Sequence, residues 1–157
     1  MRKVCFTSFV AAAFLSFGVA LLAGDPNIGT WKLDPAKSKF SPGPAPKSQT
    51  LTIEAWGDDG VRYVAEGVDA TGKPMHWEFQ AKYDGKEYPF KGNPDADHIT
   101  YKRTDAFHVE AMTTLKGKPA GNTKVVVSKD GKTRTLTQTG RNAQGQTINN
   151  VVVYEKQ

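Results

Sequence analysis

The sequence predicts an all-β protein, an up-and-down antiparallel β-barrel of about ten strands. From Gln49 onward apolar residues recur at every second position, which is the pattern of strands with one buried face. Apolar residues at helical spacing are nearly absent, and short glycine-containing turns separate the runs. A sheet of this size without covering helices must pack on a second sheet or close on itself, and short links between successive strands favour closure.

Residues 1–23 have the form of a secretory signal peptide. A basic head of Arg2 and Lys3 precedes an uncharged run that ends at Ala23. Because small residues close the run, we expect cleavage after Ala23 and an exported domain of residues 24–157, secreted or periplasmic, with no stable membrane insertion. An uncleaved anchor is the alternative, since about 20 apolar residues can just span a bilayer.

Ten runs of the exported domain are predicted as strands, with consecutive strands as neighbours. The runs are residues 28–33, 49–56, 61–69, 74–82, 87–90, 98–104, 106–115, 122–129, 133–139 and 147–155. Links such as Asp84-Gly85 and Asp130-Gly131 suit tight hairpins. Between the first two runs, residues 34–48 are predicted to form one short helical turn capped by Asp34, followed by an extended Pro-rich loop.

Strict alternation divides each strand between an inward and an outward face. In the run 74–82, Trp77 and Phe79 face one way while Glu78 and Gln80 face the other. The inward set is rich in aromatic residues: Leu51, Ile53, Tyr63, Trp77, Phe79, Ile99, Tyr101, Phe107, Val109, Leu136, Ile148, Val152 and Tyr154. Such a set suits either a lined cavity for an apolar ligand or a barrel that its own rings fill.

Both ends of the domain resemble a known superfamily. Gly29-Thr30-Trp31 resembles the opening Gly-x-Trp strand of the calycins, the lipocalins and fatty-acid-binding proteins, and Val153-Tyr154-Glu155 resembles the closing strand of the fatty-acid-binding branch. With the predicted export, the nearest likeness is to small exported bacterial lipocalin-like proteins. The resemblance implies a ligand-binding barrel in which Trp31 is structural and closes one end.

Two departures from that resemblance bear on the ligand. The Pro-rich loop stands where fatty-acid-binding proteins insert a helix-turn-helix lid, and Val152 stands where their carboxylate clamp has an arginine. Arg103 and Arg134 share the inward parity, so either both reach water at the barrel rims or one of them replaces the clamp. The predicted ligand site is Trp77, Phe79, Tyr101, Arg103, Phe107 and Tyr154, with Arg103 pairing a carboxylate.

Catalytic and metal-binding motifs are absent from the sequence. Cys5 is the only cysteine and lies in the predicted signal peptide, while His76, His98 and His108 lack the spacing of metal ligands. We therefore expect no enzyme, no metal and no cofactor. Loss of two of the 21 Lys and Arg with the signal peptide leaves a mild excess over 16 Asp and Glu, too small to indicate nucleic-acid binding.

Two functions follow from these patterns. The first is an exported barrel that binds a small hydrophobic or amphipathic ligand, as a carrier or sequestering protein. The second is a non-catalytic envelope protein with a filled barrel, whose basic Pro-rich loop, with Lys37, Lys39 and Lys47, touches a partner. A ligand-accessible cavity distinguishes the two.

Overall fold

The computed structural model describes residues 24–157, so the predicted signal peptide lies outside the described residues. All ten predicted strands are present within this range. They are β1 (Gly29–Leu33), β2 (Ser48–Ala55), β3 (Gly60–Val68), β4 (Pro74–Lys82), β5 (Asp84–Lys91), β6 (His98–Arg103), β7 (His108–Leu115), β8 (Lys118–Val127), β9 (Thr133–Arg141) and β10 (Thr147–Lys156).

The strands form one closed antiparallel barrel, which confirms the predicted fold class. Each strand pairs with its neighbours in the sequence, and β1 closes the barrel against β10. In this register Trp31 lies opposite Leu51 on one side and Lys156 on the other. Closure leaves the strands no free edge and covers the apolar face without a helix.

Among the strand boundaries that differ from the prediction, those of β7 and β8 have clear local reasons. β8 begins at Lys118, because a register shift at Thr113 and Thr114 lets the strand accommodate Pro119. β7 begins at His108 and leaves Phe107 in the preceding turn. That turn is held by the Asp105 carboxylate, which accepts hydrogen bonds from the backbone N–H groups of Phe107 and His108.

The segment after β1 forms a turn, and no helix occurs in residues 24–157. Asp34 Oδ1 accepts hydrogen bonds from the N–H groups of Ala36 and Lys37, as its predicted capping role requires, but the chain then extends. Because β1 pairs only with the last residues of β10, the earlier residues of β10 need another hydrogen-bonding partner on that side. Residues 39–47, called the strap below, supply it: Lys39 bridges to Val151.

Trp31 closes one end of the barrel, as the resemblance implied. Its side chain is completely buried, its indole Nε1 donates to the Asn27 carbonyl over 3.0 Å, and the Lys156 ammonium lies 5.0 Å from its ring centre. Leu51, Ile53 and Val61 complete this closed end. The large side chains are therefore concentrated at one end, which leaves space toward the other.

Candidate functional site

A cavity of about 430 Å³ lies inside the barrel. The Phe40, Pro44 and Pro46 side chains of the strap line it, together with the β3–β4 turn around Ala70 and the β5–β6 loop around Asp95. These segments lie at the end opposite Trp31 and form the mouth of the cavity. The volume is within the range typical of small-molecule sites, so the barrel is not filled by its own rings.

Four of the six predicted site residues line this cavity: Trp77, Phe79, Tyr101 and Tyr154. Tyr63 joins them, with its ring stacked 4.6 Å from that of Phe79, and the Tyr101 ring lies 5.4 Å from Phe79 in an edge contact. The rings are therefore fixed by each other and form one rigid apolar wall. Their role in ligand binding stays a prediction.

Arg134 lies in the floor of the cavity, at a depth that the sequence did not indicate. Only 1% of the residue is exposed, so the rim position considered for it is wrong. Arg134 is the second residue of β9 and points inward at the closed end. It lies between Val127 and Tyr154 of the neighbouring strands, out of reach of bulk solvent. Its inward parity was the available signal, but parity gives the face of a strand and not the depth.

The Arg134 guanidinium has unused hydrogen-bonding capacity. Nη2 donates to the Tyr101 hydroxyl over 3.1 Å, whereas Nε and Nη1 are buried without an acceptor among residues 24–157. No carboxylate in this range lies within ion-pair distance of Arg134, and the guanidinium carbon is 6.0 Å from the Tyr63 ring centre. The floor therefore holds a positive charge without a negative partner.

Tyrosine hydroxyls surround this charge in their neutral form. Burial raises the pKa of Tyr63 to about 12, against a lowering effect of Arg134, and burial likewise raises the pKa of Tyr154. The Tyr154 hydroxyl donates to Gln49 Oε1 over 2.6 Å. Because neutral tyrosines do not cancel the Arg134 charge, the floor suits an anionic group.

Arg103 does not line the cavity, which corrects the predicted site. Its Nη2 lies 2.6 Å from Asp25 Oδ2 and its Nη1 lies 3.2 Å from Asp59 Oδ1. The guanidinium also stacks 3.8 Å from the Tyr83 ring centre, and the Tyr83 hydroxyl donates to Asp25. Two carboxylates and one ring engage Nη1, Nη2 and the face of the Arg103 guanidinium at the outside of the closed end. Its Nε is buried without an acceptor among residues 24–157, but the residue does not border the cavity.

Phe107 is the second correction. Because it belongs to the β6–β7 turn and not to β7, its ring packs against the buried core at the closed end and is not among the cavity-lining residues. Its inward orientation was predicted from a strand running over residues 106–115, whereas β7 begins at His108, one residue after Phe107.

Residues 24–157 contain neither a cluster of metal-ligating side chains nor a membrane-spanning helix. No group of three or more His, Cys, Asp or Glu side chains in this range is placed to hold a metal ion. The same range contains no helix long and apolar enough to cross a membrane.

Comparisons with known proteins bear on the fold alone. No model of a known protein family and no curated protein matches the sequence. Among solved structures, the barrel is similar to the wild-type fluorescent protein UnaG, with a TM-score of 0.53 and 16% identity over 83% of this chain and 97% of that one.

Two further solved barrels are similar at lower scores. Zebrafish ileal bile acid-binding protein, complexed with cholic acid, has a TM-score of 0.47 and 10% identity over 84% of this chain and 99% of that one. The redesigned barrel mFAP1, bound to DFHBI, has a TM-score of 0.45 and 11% identity over 83% and 95%. The closed ten-strand antiparallel barrel and its likeness to UnaG give this chain the calycin-like fold of the fatty-acid-binding-protein type.

Proposed function

We propose that this chain binds one small, mainly apolar molecule with a carboxylate or similar acidic group, and that Arg134 pairs with that group. One observation carries the proposal. A guanidinium that is 1% exposed, with two unpartnered nitrogens and no carboxylate partner among residues 24–157, lies in the floor of a 430 Å³ cavity.

The energetic argument is that a buried unpaired charge is costly. Removing an ion from water costs several kcal/mol, and each buried donor without an acceptor adds about 1–3 kcal/mol. A carboxylate would balance the charge of Arg134 and accept a hydrogen bond from one of its two free nitrogens, because Nε–H and Nη1 point to different sides of the guanidinium. Binding thereby recovers part of the cost that the free barrel bears.

The apolar part of the ligand would lie along the aromatic wall. Trp77 and Phe79 of β4 line the cavity above the floor, and Phe40 and Pro44 of the strap line it near the mouth. Rings held in place by mutual contacts offer large apolar area at little entropic cost. The ligand is therefore an amphipathic acid whose head points to the closed end.

The alternative of a structural protein with a filled barrel has less support. It needs an interior without space, whereas the cavity occupies 430 Å³. It also needs the basic loop to be available, whereas the Lys37 ammonium lies 2.8 Å from Glu155 and 3.3 Å from Asp34.

The proposal includes export, because residues 1–23 have the composition of a signal peptide. Intact-mass measurement on the protein recovered from its producing cells tests this part. A mass beginning at or near Gly24 outside the cytoplasm supports it, and a membrane-bound chain that retains Met1 contradicts it.

Titration with dodecanoic acid and dodecan-1-ol, followed by tryptophan fluorescence, tests the binding. Trp77 lines the cavity and serves as the internal reporter. A charge-assisted pair is worth about 1.5–3 kcal/mol, so wild type should prefer the acid by roughly tenfold to a hundredfold. Arg134→Met should bring the acid down to the affinity of the alcohol.

Arg103→Met is the matched control, because it makes the same chemical change outside the cavity. We expect it to leave the preference for the acid unchanged. Equal affinity of wild type for acid and alcohol would refute the role of Arg134 and leave the apolar cavity standing. No response to either probe would refute the proposed function itself.

A further inference from the structure

The wall formed by β8, β9 and β10 is layered, because inward residues of the three strands lie directly opposite each other. Arg134 pairs with Tyr154 at the floor, and Leu136 lies between Val125 and Val152 one layer higher. Two residues further along β9, Gln138 lies between Thr123 and Asn150. The wall therefore changes from cationic to apolar and then to polar with increasing distance from the floor.

The polar layer of Thr123, Gln138 and Asn150 lies on the β8–β10 side of the cavity. All three side chains line the cavity and are half-buried. The facing strands β4 and β6 present Met75, Trp77 and Ile99 to the same space. An unbranched acid would leave the polar layer against hydrocarbon, which wastes its hydrogen bonds.

Hydrogen bonds within the layer leave the Gln138 amide nitrogen available. Asn150 Nδ2 donates to Gln138 Oε1 over 3.3 Å, and Asn150 Oδ1 accepts from the strap N–H of Ser41 over 2.9 Å. Asn150 is thus committed on both sides and orients Gln138. The Gln138 side chain borders the cavity, and its amide nitrogen donates to no group among residues 24–157.

We infer that the ligand carries a second hydrogen-bonding group, such as a hydroxyl, about 13 Å from its acidic group. This distance is the four-residue separation of Arg134 and Gln138 along β9, at about 3.3 Å per residue. Gln138 is the specificity-determining residue, with Thr123 beside it. The inference rests on the proposed function, since Arg134 must hold the acid to set the distance.

Octadecanoic acid, 12-hydroxyoctadecanoic acid and 2-hydroxyoctadecanoic acid test the inference in tryptophan-fluorescence titrations. The 12-hydroxyl reaches the polar layer when the acid is on Arg134, whereas the 2-hydroxyl lies beside the floor. One neutral hydrogen bond predicts a preference of roughly twofold to tenfold for the 12-hydroxy acid over octadecanoic acid. The 2-hydroxy acid should lack this advantage.

Gln138→Met removes the amide and keeps the length of the side chain, so it should abolish the preference while octadecanoic acid binds at least as well. Gln80→Met makes the same change on the exposed face of β4 and should keep the preference. Thr123→Val conserves the shape of the side chain and serves as the second variant in case Gln138→Met does not fold. It should reduce the preference for the 12-hydroxy acid.

Three results would overturn the inference. If wild type binds all three acids equally, the polar layer does not contact the ligand, although the proposed function stands. If Gln138→Met weakens octadecanoic and 12-hydroxyoctadecanoic acid by the same factor, Gln138 supports the structure without setting specificity. Binding of none of the three acids overturns the proposed function and the inference together.

Discussion

Arg134→Met should stabilise the ligand-free barrel while it removes the preference for an acid over the matching alcohol. The substitution replaces a buried guanidinium by a shorter apolar side chain that ends near the position of Nε, so the space beside Tyr101 joins the existing cavity. It removes two buried nitrogens, Nε and Nη1, that have no acceptor in residues 24–157. Stability and function thus move in opposite directions at this position, as expected of a group retained for a ligand.

The magnitude follows from the contacts of Arg134. Two unsatisfied donors at about 1–3 kcal/mol each are relieved, about 2–6 kcal/mol in total. Against this, the hydrogen bond to Tyr101 is lost at about 1.5–3 kcal/mol, and the contact with the Tyr63 ring at about 0.5–1 kcal/mol. The central values, about 4 kcal/mol relieved against about 3 kcal/mol lost, leave a net stabilisation of about 1 kcal/mol, or about 4 °C in Tm for a domain of this size.

Urea denaturation of delipidated protein measures this difference, with thermal unfolding as a second probe. Arg103→Met is the control, and it should lose stability, because it deprives Asp25 and Asp59 of their common partner. A wild-type barrel that is more stable than Arg134→Met by 1 kcal/mol or more would refute the reasoning. The guanidinium would then be satisfied without ligand, and its burial would no longer point to an acid.

Three further outcomes are expected. Trp31→Ala should lower the free energy of unfolding by about 3–5 kcal/mol in urea denaturation, with dodecanoic acid affinity unchanged in the folded fraction, since Trp31 is fully buried outside the cavity. Asp25→Ala should cost about 2–4 kcal/mol by the same assay, because Arg103 and Tyr83 lose their shared acceptor; an unchanged midpoint would contradict the role given to this network. The Thr71 hydroxyl and neighbouring N–H groups hold the pKa of Asp69 below its usual value of 3.8. The contribution of Asp69 to stability is therefore present above about pH 4 and is lost as the pH falls further. The Tm of Asp69→Asn should decline less than that of wild type from pH 5 to pH 2.

Strand positions were predictable because each has a local cause. β4 matches its predicted bounds, since Met75, Trp77 and Phe79 alternate with charged residues between two turns. β5 was predicted too short, because it carries charged and turn-forming residues at its start and pairs with β4 at only Glu78 and Phe79. Its strand conformation is supported by β6, which is a tertiary contact that a single strand's pattern does not contain.

The candidate site was harder to predict, because alternation gives the face of a residue but not its partners. Arg103 and Arg134 have the same parity and both lie near a strand end. They differ because Asp25, remote in the sequence, reaches Arg103, whereas Arg134 meets only tyrosines. Long-range pairing of a loop carboxylate decides which arginine is free, and no local pattern encodes it.

The register of β9 against β10 also explains how the barrel dispenses with an arginine at Val152. Val152 lies opposite Leu136 in the apolar layer. A charged side chain at position 152 would lie one layer above the floor, about 7 Å from Tyr154 along β10. Arg134 lies directly opposite Tyr154, and the two side chains meet across the ladder. In the proposed function, Arg134 and Tyr154 on neighbouring strands take the place of the same-strand pair that the resemblance implies. Because the turn between β9 and β10 sets this register, changing the length of that turn by one residue would separate Arg134 from Tyr154.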